Sequence, residues 1–214
     1  LSETENSPEM EALIEEATPL QSQHSDNIYM NKKLYERVAA IYNADQSGLT
    51  REQQMVLKKL YEAFERNGIG LDEAKQARLR EINTEISAKT NKIGNNNLAE
   101  NNAFKERFGI SVSAYPTAMT TTEDRSLREE MFKAYSSRGH NGNENDNRQL
   151  VLDVMRLRIE KAKLMGYDNP AAFILEPKMA HDPETVDEFL DGIMKAAVAK
   201  AKEEVAEMQE GMNQ

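Results

Sequence analysis

The chain has 214 residues, 27 basic against 37 acidic side chains, a formal net charge of −10 at pH 7, and 39% hydrophobic and 30% charged residues. That length is enough to bury a core as one large or two small domains, and the acidic excess argues against nucleic acid, whose phosphates need clustered lysine and arginine. No apolar run approaches the roughly 20 residues of a bilayer-spanning helix, and without cysteine there is no disulfide, thiol nucleophile or thiolate metal site.

The chain opens on Leu1 rather than Met. The missing signal peptide therefore says little about compartment, and cytosol and periplasm both stay open. Residues 1–7 are polar and read as frayed. Ser7-Pro8-Glu9 is a cap, a proline and an acid, the start of a helix. Met10, Leu13, Ile14 and Ala17 give that helix its apolar face, and Pro19 is expected to end it. Residues 20–27 then read as a polar connection carrying an exposed His24.

Asn31 can cap a second helix lined by Leu34, Val38, Ile41 and Tyr42. Thr50 and Gln53 form a capping box for a third. Its stripe is Val56, Leu57, Leu60, Tyr61 and Phe64, and Asn67-Gly68 closes it. Asp72 opens the longest element. There Leu79, Ile82, Ile86 and Ile93 fall at steps of three, four and seven, the narrow seam of paired long helices. From Asn95 to Asn102 the period blurs. Val112 and Ala114 alternate with serine, which predicts a short extended piece near residues 110–115, ended by Pro116.

Leu127, Met131, Ala134 and Tyr135 share one face of a further helix, stopped at Gly139. A polar loop follows, with Asp146 or Asn147 as the next cap. Leu150, Val151, Val154, Leu157, Ile159, Ala162 and Leu164 then keep a helical period up to Gly166. This pair reads as a hairpin sharing Met131, Tyr135, Val154, Leu157 and Leu164. Asn169-Pro170 starts a short helix. Asp182-Pro183-Glu184 starts the last one, amphipathic to the end through Val186, Phe189, Leu190, Ile193, Met194, Val198, Val205 and Met208. The fold class expected is all-α, an array of seven or eight antiparallel helices, with residues 1–124 as one lobe and 125–214 as the hairpin and the start of a second domain. Met155, Met165, Met179 and Met194 are expected as core fillers.

The string itself carries more than its periodicity. Arg128 to Gly139, Asn145-Asp146-Asn147, Leu157-Arg158 through Ala162-Lys163-Leu164-Met165-Gly166-Tyr167, Ala172 and Lys178-Met179-Ala180 resemble the zinc metallopeptidase family of thimet oligopeptidase, its peptidyl-dipeptidase branch most of all. The segments HSDNIYMNKKLYERVAAIY and LTREQQMVLKKLYEAFERNGIGLDEAKQARLREINTEIS are similar to the amino-terminal helical part of the same enzymes. The resemblance covers nearly the whole chain in matching order, and the region between the long helix and the TTEDR start looks short beside the relatives. It implies a two-lobed, zinc-dependent peptidase that cleaves dipeptides from the carboxyl end of oligopeptides. This chain would form a wall of the substrate channel.

That chemistry needs two histidines one helical turn apart with a glutamate beside the first. The histidines here are His24, His140 and His181, none with a second within a turn. The reading therefore assigns no catalytic, cofactor-binding or metal residue to this chain: zinc would be held by residues after Gln214, and none is expected here. His140 and His181 with Glu144, Glu176 or Asp182 have no metal-site spacing. Gly139-His140-Asn141-Gly142 lacks the lysine and preceding strand of a phosphate loop. Ser111, Ser136 and Ser137 have no histidine base placed by a local motif. Glu129-Glu130 and Glu203-Glu204 splay apart on their helices, and Arg156 or Arg158 reads as pairing with a carboxylate such as Glu160. The partners implied are oligopeptides through the longer enzyme, and self-association through residues 183–214. A non-catalytic helical interaction module of the same ancestry is the competing reading, and a small-ligand or metal-binding bundle the third.

Overall fold

The computed structural model describes residues 7–213; the polar start at 1–6 lies outside them. Among the described residues the chain is all-α, with no strand. Its elements are α1 (Pro8–Tyr29), α2 (Lys32–Tyr42), α3 (Arg51–Arg66), α4 (Glu73–Phe108), a short 3-10 turn (Val112–Ala114), α5 (Tyr115–Thr121), α6 (Arg125–Ser136), α7 (Arg148–Leu164), α8 (Pro170–Leu175) and α9 (Pro183–Asn213). They group into two compact units that divide between Lys161 and Ala162, inside α7.

The helix starts are where the caps place them. Ser7, Asn31, Asp72, Asp124 and Asn169 each accept a backbone N–H of the first turn with a side-chain oxygen. Thr50 and Gln53 satisfy each other's backbone reciprocally. Asp182 accepts the Thr185 N–H at 2.7 Å. Gly68 has φ +86, and a Cβ there would lie 2.6 Å from Leu79 Cδ2, so both the turn after α3 and its approach to α4 require glycine.

In the first unit α1 lies along α4, and α2 packs on α3. Its core holds Phe64, Leu79, Ile82, Phe104, Met131, Val154 and Leu157, all buried. Two aromatic groups bracket α4. Around Phe64 stand Tyr29 and Tyr35, with Tyr61 stacked on Tyr42 at 4.3 Å. Around Phe104 stand Phe108, Tyr115 and Tyr135, the two tyrosines stacked at 3.9 Å. Of the residues predicted as a hairpin core, Met131, Val154 and Leu157 are buried. However, the ties that fix α7 run to α4: Arg78 to Glu160 at 2.7 Å, Lys89 to Asp153 at 3.1 Å and Asn96 to Asn147 at 2.8 Å.

Four expectations are corrected. Pro19 lies inside α1, which continues to Tyr29 and carries His24 on its exposed surface. Packing along α4 offsets the lost backbone bond, and the Thr18 hydroxyl donates to the Ile14 carbonyl at 2.8 Å one residue before the proline. The asparagine-rich stretch 95–102 does not break α4. Residues 110–115 are not extended: Ser111 accepts the Ala114 N–H at 3.3 Å to start the 3-10 turn, and Pro116 sits in the first turn of α5 rather than ending a strand. Proline's fixed φ suits that position. Met155, Met179 and Met194 are exposed rather than core. The last two belong to an end of the chain whose helix buries almost nothing.

The second unit is held locally. Gly166, at φ +86, ends α7 with its N–H on Lys163 O and the Tyr167 N–H on Ala162 O, the paired bonds of a left-handed helix stop. Tyr167 meets the Phe173 ring edge-on at 5.1 Å and donates its hydroxyl to Glu176. Along α9, Phe189, Leu190, Ile193, Met194, Val205, Met208 and Met212 are all exposed, the first by 67%.

Candidate functional site

The three histidines do not converge. His24 is on α1. His140 sits in the loop after α6, and His181 precedes α9 with φ +67 and Nδ1 3.2 Å from the Glu176 carbonyl. All three are exposed. Among the described residues no group of three or more His, Cys, Asp or Glu side chains is placed to hold a metal ion. These residues do not fit a zinc centre.

The structure does bring together a polar assembly that the sequence reading missed. One side of it is α4, where Asn96, Asn97, Glu100 and Asn101 follow one another at helical steps. The other is the loop from Arg138 to Asn147. Asn96 donates its side-chain amide to Asn147 Oδ1 at 2.8 Å, and Asn147 donates its own to Asn97 Oδ1 at 2.8 Å. Glu100 takes the amide of Asn141 on one oxygen at 2.7 Å and that of Asn143 on the other at 2.8 Å. Arg138 donates to Asn101 Oδ1 at 2.5 Å and lies 4.1 Å over the Tyr135 ring.

The loop's own turns are built for this. Gly139 is buried at φ +70, with the Asn147 amide nitrogen 3.1 Å from where a Cβ would stand, and its carbonyl accepts the Asn147 N–H at 2.8 Å. Both cap candidates are used. Asp146 accepts the backbone N–H of Arg148 at 3.0 Å and of Gly142 at 2.8 Å, while the Asn147 backbone carbonyl accepts the first helical bond of α7 from Val151. The Arg148 guanidinium, with those backbone bonds, holds the Asp146 carboxyl well below the usual carboxylate range.

Chemically the assembly is a lock. Each Glu100 oxygen accepts one loop amide, so this single carboxylate ties both Asn141 and Asn143 to α4. Asn96 and Asn147 are buried and paired, as buried amides have to be. The signal was in the sequence as two asparagine-rich runs, one on a helix and one in a loop, each of which reads alone as solvated polar surface. The other predicted pairings are mixed. Arg156 meets Asp153 at 3.4 Å, whereas Glu160 is taken by Arg78.

Comparison with known proteins bears on the same segments. Residues 118–214, from α5 onward, match the model of Peptidase family M3. Oligopeptidase A of Haemophilus influenzae is 30% identical, with 97% of this chain and 36% of that protein covered. Oligopeptidase A of Escherichia coli is 29% identical with the same coverage, and dipeptidyl carboxypeptidase of Escherichia coli 26% identical, covering 94% and 34%. The chain thus spans about a third of the length of these relatives. The Haemophilus alignment runs over 244 positions while 97% of 214 residues is about 208, so about 36 positions of the relative have no counterpart here. Residues 118–214 thus match peptidase family M3, and the chain as a whole is similar to the amino-terminal part of thimet-oligopeptidase-like members of that family.

Proposed function

We propose that this chain is the amino-terminal helical part of a zinc metallopeptidase that cleaves dipeptides from the carboxyl end of oligopeptides, and that it forms a wall of the substrate channel. The observation that carries the reading is order: nearly all of the chain aligns with oligopeptidase A and dipeptidyl carboxypeptidase while covering about a third of each. Residues 1–124 would supply the access-restricting lobe, and 125–214 the start of the lobe that bears the metal. Zinc, and the glutamate that activates its water, would come from residues after Gln214. The histidines present are too scattered to hold it. We place the positions without counterpart in the short region after α4, where the 3-10 turn and α5 carry the chain directly from Phe108 to Arg125. Reading the coding sequence after Gln214 tests the proposal: a His-Glu-any-any-His helix supports it, and a stop with no such motif refutes it.

A second reading rests on α9. Its exposed apolar stripe supports a helical interaction module of the same ancestry without catalysis, in which that stripe is the binding face. The same sequencing separates the two.

A further inference from the structure

The chain contains two Asn-Gly pairs, Asn67-Gly68 and Asn141-Gly142. In this dipeptide the asparagine side chain is most open to attack by its own backbone, because glycine puts no Cβ beside the attacking nitrogen. The fold treats the two pairs differently. Asn67 is the C-cap of α3, and both its side-chain amide and its backbone N–H donate to Ala63 O, the former at 2.7 Å. Gly68 is buried, so close to Leu79 that a Cβ would stand 2.6 Å from Cδ2. Cyclisation there would pull the end of α3 away from the core at Phe64 and Leu79.

Asn141-Gly142 lies on the outside of its loop. Both residues are exposed, and nothing stands within 4 Å of where a Gly142 Cβ would be. Two carboxylates hold the pair. Glu100 Oε2 accepts the Asn141 side-chain amide at 2.7 Å, and Asp146 Oδ2 accepts the Gly142 N–H at 2.8 Å. These bonds turn the Asn141 side chain toward α4 and occupy the attacking nitrogen, so the reaction waits on an opening of the loop. Exposed loops open at lower free energy than packed helix ends.

We propose that Asn141 is a self-modification site, which deamidates through a succinimide with Gly142 when its Glu100 contact is released, and whose product prevents that contact from re-forming. The Gly142 nitrogen bonds to Asn141 Cγ and the Cγ–Nδ2 bond breaks. Nδ2 leaves as ammonia, carrying the proton that Gly142 loses. Water then opens the ring at either carbonyl, giving aspartate or isoaspartate; no oxidant or cofactor enters. Either product sets a carboxylate where Glu100 had a donor, in a chain whose net charge is already −10, and like charges this close repel. Only Asn143 is then left on Glu100. The change is one-way, and it acts on the tie between α4 and the loop that leads into α7.

The test is peptide mapping by mass spectrometry of the 214-residue polypeptide during incubation in mildly alkaline buffer, with isoaspartate detected by enzymatic methylation. Asn141 is expected to convert well ahead of Asn67. In Glu100→Ala, Asn141 should convert about tenfold faster, the release that loss of one charged hydrogen bond gives, with Asn67 unchanged. Asn67 reports general unfolding in the same sample, so equal acceleration of both sites overturns the gate. Asn141→Asp should lower the urea midpoint of unfolding. Adding Glu100→Gln should recover it, since glutamine offers an amide N–H to the new carboxylate and a carbonyl to Asn143. Conversion of Asn141 no faster than that of Asn67, no acceleration in Glu100→Ala, or a parental midpoint in Asn141→Asp overturns the proposal.

Discussion

Asn96 and Asn147, 51 residues apart in sequence, meet amide to amide at 2.8 Å with both side chains buried. That bond ties the middle of the longest helix to the N-terminal end of α7. It also fixes the amide orientation of Asn147, whose nitrogen then reaches Asn97. Asn147→Ala leaves the Asn96 amide buried without its acceptor. We expect a loss of about 1–3 kcal/mol in urea unfolding, the usual cost of orphaning a buried polar group. A change below about 0.5 kcal/mol, the range of ordinary surface substitutions, would mean that the lock is not a structural element.

A comparison of Leu157 with His140 separates core from connection. Leu157 is buried, and Leu157→Ala should cost about 2–5 kcal/mol as a cavity-forming change. His140 is exposed in the loop, and His140→Ala should stay within about 0.5 kcal/mol of the parent. If His140→Ala proves the costlier in the same unfolding experiment, the loop has a role beyond holding α7.

These two residues also show what was legible in the sequence. Leu157 sits in an unbroken helical period, so its burial follows from spacing alone. So do Leu79 and Ile82 in α4, and the caps at Asn31, Thr50, Asp72 and Asn169, where one side chain answers a local backbone need. The lock was not legible, because each asparagine run is polar on its own and only the fold brings them together. Pro19 misled for the opposite reason. A local rule ends helices at proline, but the packing of α1 on α4 outweighs it here. Pro116 gave the same difficulty, since serine alternation looks extended until Ser111 is seen capping the 3-10 turn.

The pH dependence of the loop follows from Asp146. Its carboxyl is held below the ordinary value by Arg148 and by two backbone N–H groups. A depressed folded-state value means stability that is present above the unfolded value, about 3.9 for aspartate, and lost as pH falls from there through the folded value. Asp146→Asn should therefore be less stable than the parent at pH 7, with the gap closing as both are acidified below about pH 4. Thermal unfolding of the two proteins across that range checks it. A gap that stays constant with pH would contradict the assignment.

The apolar stripe of α9 predicts association. Phe189, Ile193, Met194, Val205 and Met208 are each more than half exposed, and contiguous apolar surface of this kind finds a partner. Sedimentation of the polypeptide should show a concentration-dependent rise in mass that disappears on truncation at Asp182. A monomer at high concentration, unchanged by the truncation, would count against it.

The central claim is that the peptidase chemistry of this family does not reside in these 214 residues. Metal analysis of the purified polypeptide, with an oligopeptide cleavage assay on the same sample after zinc addition, tests it most directly. The account predicts no stoichiometric zinc and no cleavage. One tightly bound zinc per chain, lost on His140→Ala or His181→Ala and accompanied by cleavage, would contradict it.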